Sequence, residues 1–150
     1  MNKDKIYMDV CCLNRPFDDQ AQDRIFLEAE AILAILARCV EGRWMLMTSD
    51  VIEYELSRLT DMPKLEKIRN LCFIAGEKII SSKDTKFLAK KYQEYGVKIV
   101  DSYHLALCEV YGIKALLTTD DGFIRAAAKI ELETQVMNPV IWLMEVTRNG

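Results

Sequence analysis

Four acidic residues stand where one fold could bring their side chains together. Asp9 follows the apolar run IYM and Asp120 follows ALLTT, so each is an acid at the carboxyl end of a short apolar segment. Asp101 follows VKIV at the start of a helical pattern, and Glu55 lies in the helical segment after WMLMTS. A hard cation held by carboxylates, with coordination positions left open, is suited to phosphodiester hydrolysis.

Four carboxylates in one pocket need a compensating charge. Two unit charges about 4 Å apart repel by about 4 kcal/mol at an effective dielectric near 20. Protonation or a bound divalent cation relieves this repulsion, and oxygen ligands favour Mg²⁺ or Mn²⁺ over softer metals. The acids therefore predict a metal centre in which they are both the ligands and the catalytic residues.

Each acid also has a simpler structural interpretation. Asp101 could be a helix N-cap, and Asp120 and Asp121 could cap the helix that follows them. Asp9 could begin a turn, and Glu55 could be a solvated helix residue. The hypothesis of a shared site rests on the joint pattern rather than on any one acid.

A choice between Glu53 and Glu55 follows from helix geometry. Residues two apart on a helix differ by about 200° in direction, so both cannot face one site. Glu53 stands three residues after Asp50, which is the spacing of an N-cap and its capping-box partner. Glu55 is therefore the predicted site residue of this helix.

The elements that must position these acids alternate along the chain. Short apolar segments predict strands at 5–10, 44–49, 77–82, 113–119 and 135–137. Helical spacing and the punctuation by Gly and Pro predict helices at 20–40, 50–59, 63–75, 83–95, 101–111, 122–130 and 139–146. This alternation indicates an α/β fold with a parallel sheet covered on both faces, and polar residues past its strand ends converge on one crevice.

Bulk composition limits the class of protein. The 150 residues are 51% hydrophobic, which fits a single domain over 1–150 with a sizeable core. The five cysteines are an odd number without framework spacing, and no signal peptide or membrane-spanning run is evident, so we expect a reduced, cytoplasmic protein. The net charge of −3 argues against a broadly basic nucleic-acid binder, although a bound cation would reverse the local sign at an acidic centre.

Several other residues could contribute to a site. Arg15 lies six residues beyond Asp9, where it could bind a substrate phosphate or instead pair with Asp18 or Asp19. His104 lies three residues after Asp101, and a hydrogen-bonded packing role is favoured over contact with the site. The lysines of one predicted helix face suggest a solvated surface, with an RNA-guiding rim as the alternative; they are Lys83, Lys86 and Lys90.

The cysteines are predicted to be structural. Cys11 and Cys12 cannot form a metal pair because adjacent side chains diverge and no C-x-x-C partner exists. The other three, Cys39, Cys72 and Cys108, lie on apolar helical faces and are expected in the core. A role for Cys11 beside the metal site is the less favoured alternative.

Four segments, in order, resemble the blocks of PIN domains, including the VapC-type toxin ribonucleases. They are MDVCCLNRPF, SDVIEYEL, VDSYHLALCEVYGIKALLTTDDGF and NPVIWLMEV, and together they span essentially the whole chain. The resemblance implies a three-layer α/β/α sandwich with a mostly parallel sheet and a Mg²⁺- or Mn²⁺-dependent ribonuclease centre. Carried over by position, the site acids are Asp9, Glu55, Asp101 and Asp120.

The resemblance also implies partners, and the sequence differs from the family pattern at two positions. RNA is the implied substrate, an antitoxin protein that inserts a segment into the crevice is a possible partner, and a homodimer is expected. Phe26, Leu27 and Ile35 are the apolar residues of the long helix that could serve the dimer. Cys11 replaces a small hydroxyl or amide residue common in the family, and Gly122 stands where many members carry a second Asp.

Two other classes of function remain open from the sequence. One is a non-catalytic RNA-binding or protein-binding module of the same fold, which the departures at Cys11 and Gly122 favour. The other is a phospho-aspartate phosphatase or receiver domain, which would also use an Asp at a strand end. The phosphatase pattern needs a second Asp where Cys11 stands, and a receiver needs a Lys after a late strand, for which no candidate is well placed.

Overall fold

A five-stranded sheet forms the centre of the molecule. The computed structural model describes residues 3–148. Its strands are β1 (Lys5–Met8), β2 (Met45–Ser49), β3 (Glu77–Ile79), β4 (Ala115–Leu117) and β5 (Gln135–Met137). All neighbouring pairs are parallel, in the order β3-β2-β1-β4-β5. Five strands were predicted in these places, and four of them are shorter than the apolar runs that indicated them.

The strand order places a topological switch between β1 and β4. The chain winds outward from β1 through β2 to β3, then crosses back to β4 and winds outward again to β5. Right-handed crossovers put the connections before and after this return on opposite faces of the sheet. The result is the predicted α/β/α sandwich, and its crevice opens beyond the carboxyl ends of β1 and β4.

Eight α-helices surround the sheet within the described residues. They are α1 (Val10–Asn14), α2 (Asp23–Val40), α3 (Asp50–Ser57), α4 (Met62–Cys72), α5 (Lys83–Gln93), α6 (Ile99–Val110), α7 (Asp121–Ala127) and α8 (Pro139–Thr147), with a 3₁₀ turn at Arg15–Phe17. The short helix α1 and the 3₁₀ turn were not predicted, because five residues are too few to display helical periodicity. None of the helices in this part of the chain is long and apolar enough to cross a bilayer.

Two predicted helix starts are wrong. Ser49, rather than Asp50, is the N-cap of α3, where its hydroxyl accepts the Ile52 N–H at 3.1 Å. Glu53 consequently has no capping role, and its carboxylate pairs with Arg69 at 3.0 Å. Helix α6 begins at Ile99, so Asp101 is the third helical residue and not its N-cap. The last two residues of the run VKIV, Ile99 and Val100, are therefore already helical.

The core is continuous across the central strands. Ile6, Tyr7 and Met8 of β1 have no solvent exposure, and Leu116 and Leu117 of β4 have none either. Such strands read as unbroken apolar runs because helices cover both of their faces. This rigid centre holds the residues that immediately follow β1 and β4.

Helix α2 buries one face against the core and leaves part of another exposed. Ile32, Ile35 and Leu36 are buried, so the expectation that Ile35 was available for a dimer interface is wrong. Phe26 and Leu27 are 47% and 55% exposed and remain available.

Helix α8 is attached to α2 through a buried polar contact. Asn138 caps α8 by accepting the Val140 N–H at 2.8 Å, and its amide donates to Glu28 Oε2 at 2.6 Å. The Glu28 side chain is only 2% exposed and is paired with arginines. Glu28 therefore links α2 to α8, a role that its place in an apolar row with Ile32 and Leu36 could have suggested.

Replacement of Asn138 by Ala should lower the free energy of unfolding by about 2 kcal/mol, from the lost cap and the unpaired Glu28 oxygen together. The exposed cap Asp61 of α4 is the matched control, and Asp61→Ala should cost only about 1 kcal/mol. Asn138→Asp keeps the cap but places a carboxylate against Glu28, and should not restore stability. Urea unfolding measures all three variants, and equal losses for both Ala variants would contradict the role of Glu28.

Candidate active site

Asp9 occupies the crevice at the end of β1. Its side chain is buried, and its backbone N–H bonds the Leu117 carbonyl of β4 at 3.3 Å. Oδ1 caps α1 by accepting the Cys12 N–H at 3.1 Å, and it also accepts the Cys11 thiol at 3.0 Å. Burial raises the pKa of Asp9 above its ordinary value, and the Cys11 hydrogen bond and the nearby His104 oppose this rise.

Asp120 lies across the switch point from Asp9. Its Oδ1 caps α7 by accepting the N–H groups of Gly122 at 2.9 Å and Phe123 at 3.2 Å. Thr118 accepts the Asp120 N–H at 3.1 Å, and the Cys11 sulfur lies 3.4 Å from the same Thr118 hydroxyl. The capping interpretation of Asp120 is therefore correct, and it is compatible with a site role because both hydrogen bonds use a single oxygen.

Asp101 faces these acids from the first turn of α6. Burial, together with the charges of Asp9, Asp120 and Glu55, raises the pKa of Asp101 to about 6. The four predicted site acids, from four separate elements, are thus within electrostatic reach of one another. Their mutual repulsion is the reason that a proton or a cation is favoured at this position.

Glu55 approaches the site from α3 and is held by His104. The two side chains contact each other at 2.5 Å, between Glu55 Oε1 and His104 Nε2. The His104 ring has no solvent exposure, while the Glu55 side chain is 30% exposed. Glu55 is therefore neither a fully solvated residue nor a buried one. His104 is buried and hydrogen-bonded, as was favoured, but one of its partners is a candidate site acid, so it also has the contact that was less favoured.

Two further polar residues, Tyr7 and Ser49, support His104 on the side away from Glu55, and neither was predicted to do so. Tyr7 contacts His104 Nδ1 at 2.5 Å and Ser49 Oγ at 2.7 Å. Burial raises the pKa of Tyr7 well above its ordinary value, so its hydroxyl stays protonated. A tyrosine inside an otherwise aliphatic strand was the available sequence signal, since a buried hydroxyl requires a partner.

Arg15 is occupied by other acids in this structure. Its guanidinium bonds Asp18 at 3.1 Å, and Nε lies 3.0 Å from Glu28 Oε1, an ion pair without hydrogen-bond geometry. The predicted alternative of a pair with Asp18 is therefore present, and phosphate binding by Arg15 stays a prediction.

Asp121, which neighbours the site acid Asp120, points elsewhere. Both of its oxygens bond Arg24 of α2 at 2.8 Å, and this guanidinium lowers the pKa of Asp121. Arg24 also donates to the Thr119 carbonyl at 3.3 Å, so it fastens the loop that carries Asp120. Asp121 does not replace the second acid that is missing at Gly122.

The five cysteines are free, and Cys11 contacts a site acid through its thiol, whereas Cys12 does so only through its backbone N–H. Burial, and then the charge of Asp9, raises the pKa of Cys11 to about 12, so the thiol stays protonated and donates a hydrogen bond to the carboxylate. Cys12 and Cys108 are buried as predicted, whereas Cys39 and Cys72 are partly exposed at the margin of the core. Cys11 thus stands beside the candidate site, which was the less favoured of its two predicted positions.

The donor chemistry at the crevice fits a hard cation, but the ligands are not preassembled. Within residues 3–148, no group of three or more His, Cys, Asp or Glu side chains is gathered tightly enough to enclose a metal ion. Mg²⁺ commonly retains several waters and binds through one or two carboxylates, so a closed protein cage is unnecessary. Asp9 and Asp120 each use only Oδ1 in the hydrogen bonds described above, and Oδ2 of each can serve as a ligand.

The sequence matches a known family model, and the fold matches solved structures. A family model described as PIN domain matches residues 6–129. Among solved structures, PAE2754 from Pyrobaculum aerophilum superposes with a TM-score of 0.60 at 12% identity, covering 97% of this chain and 91% of the other. VapBC2 from Rickettsia felis, bound to a DNA fragment from their promoter, matches with a TM-score of 0.56 at 13% identity, covering 89% of this chain and 98% of the other. No curated protein matches significantly by sequence.

The raised pKa of Asp101 predicts a pH-dependent cost to stability. A carboxyl with a raised folded-state pKa contributes its full stability below the ordinary value of 3.8 and loses it as the pH rises through about 6. In metal-free protein, Asp101→Asn should therefore raise the free energy of unfolding at about pH 7.5 and not at about pH 4. We expect a gain of about 1 to 2 kcal/mol, after allowance for partial exposure of the carboxyl.

Chemical unfolding in the presence of a chelator measures this difference at both pH values. The partly exposed acid Glu53 on α3 provides a control, because Glu53→Gln removes a carboxylate outside the site. An equal gain for Asp101→Asn at both pH values, or none at either, would show that the acids do not repel one another.

Proposed function

Because this chain belongs to the PIN domain family, we propose that it is a divalent-metal-dependent endoribonuclease that hydrolyses RNA phosphodiester bonds. The observation that carries the proposal is the placement of four acids from four elements around one crevice, where Asp9 and Asp120 follow the adjacent strands β1 and β4. Burial and repulsion by the other acids raise the pKa of Asp101 there. Such repulsion weakens the folded protein unless a cation relieves it, and it is therefore expected of a metal centre rather than of a purely structural cluster.

Asp9, Glu55, Asp101 and Asp120 would hold Mg²⁺ or Mn²⁺. When bound, the ion would polarise a phosphoryl oxygen, activate a water and stabilise the leaving oxygen. Asp9 and Asp120 are fixed in orientation by the backbone N–H groups that they cap. Asp101 is partly buried, and burial together with the neighbouring acids raises its pKa to about 6, so it is suited to accept a proton from an approaching water.

Arg15 is proposed to contact a phosphate of the bound RNA. Its side chain is 20% exposed and is already charge-balanced by Asp18 and Glu28. Phosphate could replace Asp18, which is itself also paired with Lys64 at 3.3 Å, without leaving an isolated buried charge. Glu28 would meanwhile keep the guanidinium in place.

The proposed setting is a toxin–antitoxin pair. The similar fold in VapBC2 supports an antitoxin partner for this chain, which would place a segment in the acidic crevice and block it. An adjacent gene for a small DNA-binding protein whose product abolishes cleavage would support this setting. A homodimer through the exposed residues Phe26 and Leu27 is also proposed, and a monomer at micromolar concentration would contradict it.

Neutralisation of each acid should abolish cleavage of structured and single-stranded RNA. We expect Asp9→Asn, Asp101→Asn, Asp120→Asn and Glu55→Gln to lose more than about 100-fold in activity with Mg²⁺ or Mn²⁺, the upper range for loss of a residue that merely supports a ligand. Asn is as good an N-cap as Asp, so the changes at Asp9 and Asp120 preserve the capped helices.

Each of two acids has a matched control beside it. Asp121→Asn removes a charge but leaves an amide oxygen that can accept from Arg24, which also stays bonded to the Thr119 carbonyl. Glu53→Gln removes a surface pair with Arg69, so both variants should retain activity. Full activity in Asp9→Asn and Asp101→Asn would overturn the proposal. Equal losses at Glu53 and Glu55 would assign the effect to α3 as a whole.

A non-catalytic RNA-binding module is the second candidate function. It is favoured by the contact of the Cys11 thiol with Asp9 and by the absence of a preassembled ligand group in the described residues. RNA binding that persists without any divalent-dependent turnover, in protein shown to hold Mn²⁺, would support this alternative over the nuclease.

A further inference from the structure

A chain of buried hydrogen bonds ends at the candidate acid Glu55. It runs from Ser49 through Tyr7 to His104 and then to Glu55 Oε1, with contacts of 2.7, 2.5 and 2.5 Å. We propose that His104 is a positioning residue, which holds Glu55 by Oε1 and leaves Oε2 for the divalent cation. This inference rests on the proposed function, since it assigns the support of one of its acids.

The contacts connect elements that are far apart in sequence. Tyr7 lies in the central strand β1, Ser49 at the end of β2, His104 in α6 and Glu55 in α3. Ser49, Tyr7 and His104 have no solvent exposure, whereas Glu55 is the one member that reaches solvent. The buried part therefore serves as a rigid support, and the exposed carboxylate is the part that can meet a ligand.

Each hydrogen bond of this network has a donor and an acceptor when all of them run from Ser49 towards Glu55. The Ile52 N–H donates to Ser49 Oγ, so the Ser49 hydroxyl is free to donate to Tyr7. Tyr7 then donates to His104 Nδ1, and His104 Nε2–H donates to the Glu55 carboxylate. The opposite tautomer would place the Nε2 lone pair against the Glu55 oxygen and would break this last bond.

Ser49 also connects this hydrogen-bond network to α3, the helix that carries Glu55. Ser49 is the N-cap of α3, and Glu55 lies in the last turns of that helix. The start of α3 is therefore held by the contact of Ser49 with Tyr7, and its last turns by the contact of Glu55 with His104. A carboxylate restrained in this way loses less side-chain entropy when it binds a cation, which is the usual benefit of a hydrogen-bonded metal ligand.

Since His104 is the only histidine of the chain, nitrogen NMR of its ring reports on the parent protein without ambiguity. We expect Nε2 to carry the proton, Glu55→Gln to move the Nε2 resonance, and Tyr7→Phe to move the Nδ1 resonance. An unprotonated Nε2, or a ring unaffected by Glu55→Gln, would overturn the inference.

Mn²⁺ affinity, measured by electron paramagnetic resonance of the free ion, provides the test of function. His104→Leu should weaken affinity by about 10- to 100-fold, the typical loss when a ligand's hydrogen-bond partner is removed. His104→Gln should restore most of it, because the amide N–H can take the place of Nε2–H. Tyr7→Phe should fall between the parent and His104→Leu, since the Glu55 contact survives without its support.

A loss of packing alone would give a different pattern. Leu107→Val removes buried volume from the same helix and should lower stability without weakening Mn²⁺ affinity. The positioning role would be overturned if His104→Leu bound Mn²⁺ as tightly as the parent, or if His104→Gln bound it no more tightly than His104→Leu. This holds even if the parent cleaves RNA. Conversely, a His104-dependent Mn²⁺ site in a parent that cleaves no RNA would sustain the positioning role and reject the nuclease.

Discussion

Repulsion among partly buried carboxylates at the end of the sheet is the constraint on which the site depends. The pKa of Asp101 rises to about 6 because burial and three neighbouring acids disfavour its ionised form. Stability alone does not explain these acids, because apolar residues of similar size would pack at this edge of the sheet without that cost. The acids are held together by the convergence of β1, β4, α3 and α6, and this convergence follows from the strand order.

A structural role and the proposed chemical role coincide in Asp9 and Asp120. Asp9 and Asp120 each cap the helix that follows a central strand, and each does so with one oxygen. The cap fixes the orientation of the carboxylate and supplies N–H groups that stabilise its negative charge. The structural interpretation of these acids is therefore compatible with the proposed functional one, because each cap uses Oδ1 and leaves Oδ2 outside those hydrogen bonds.

Polar support around the crevice comes from two separate networks. Ser49, Tyr7 and His104 lie behind Glu55, while Arg24 fastens the Asp120 loop through Asp121 and the Thr119 carbonyl. The two networks share no residue, so the positions of Glu55 and Asp120 are set independently. The molecule consequently has a site whose acids are individually restrained but not drawn into a closed cage, an arrangement suited to an ion that keeps part of its water.

The sequence by itself determined the class of fold, the order of its elements and the identity of the four candidate acids. Apolar runs followed by acids carry that information locally, since an unbroken run marks a strand covered on both faces. The cap of α3 and the start of α6 are local choices among neighbouring residues that the sequence left open. Only the tertiary structure decided the partners of Glu53 and Asp121 and the pairing of Arg15 with Glu28. Those depend on which side chains meet across elements, as Tyr7 and His104 do over 97 positions of the chain, and such contacts leave no local pattern in a single sequence.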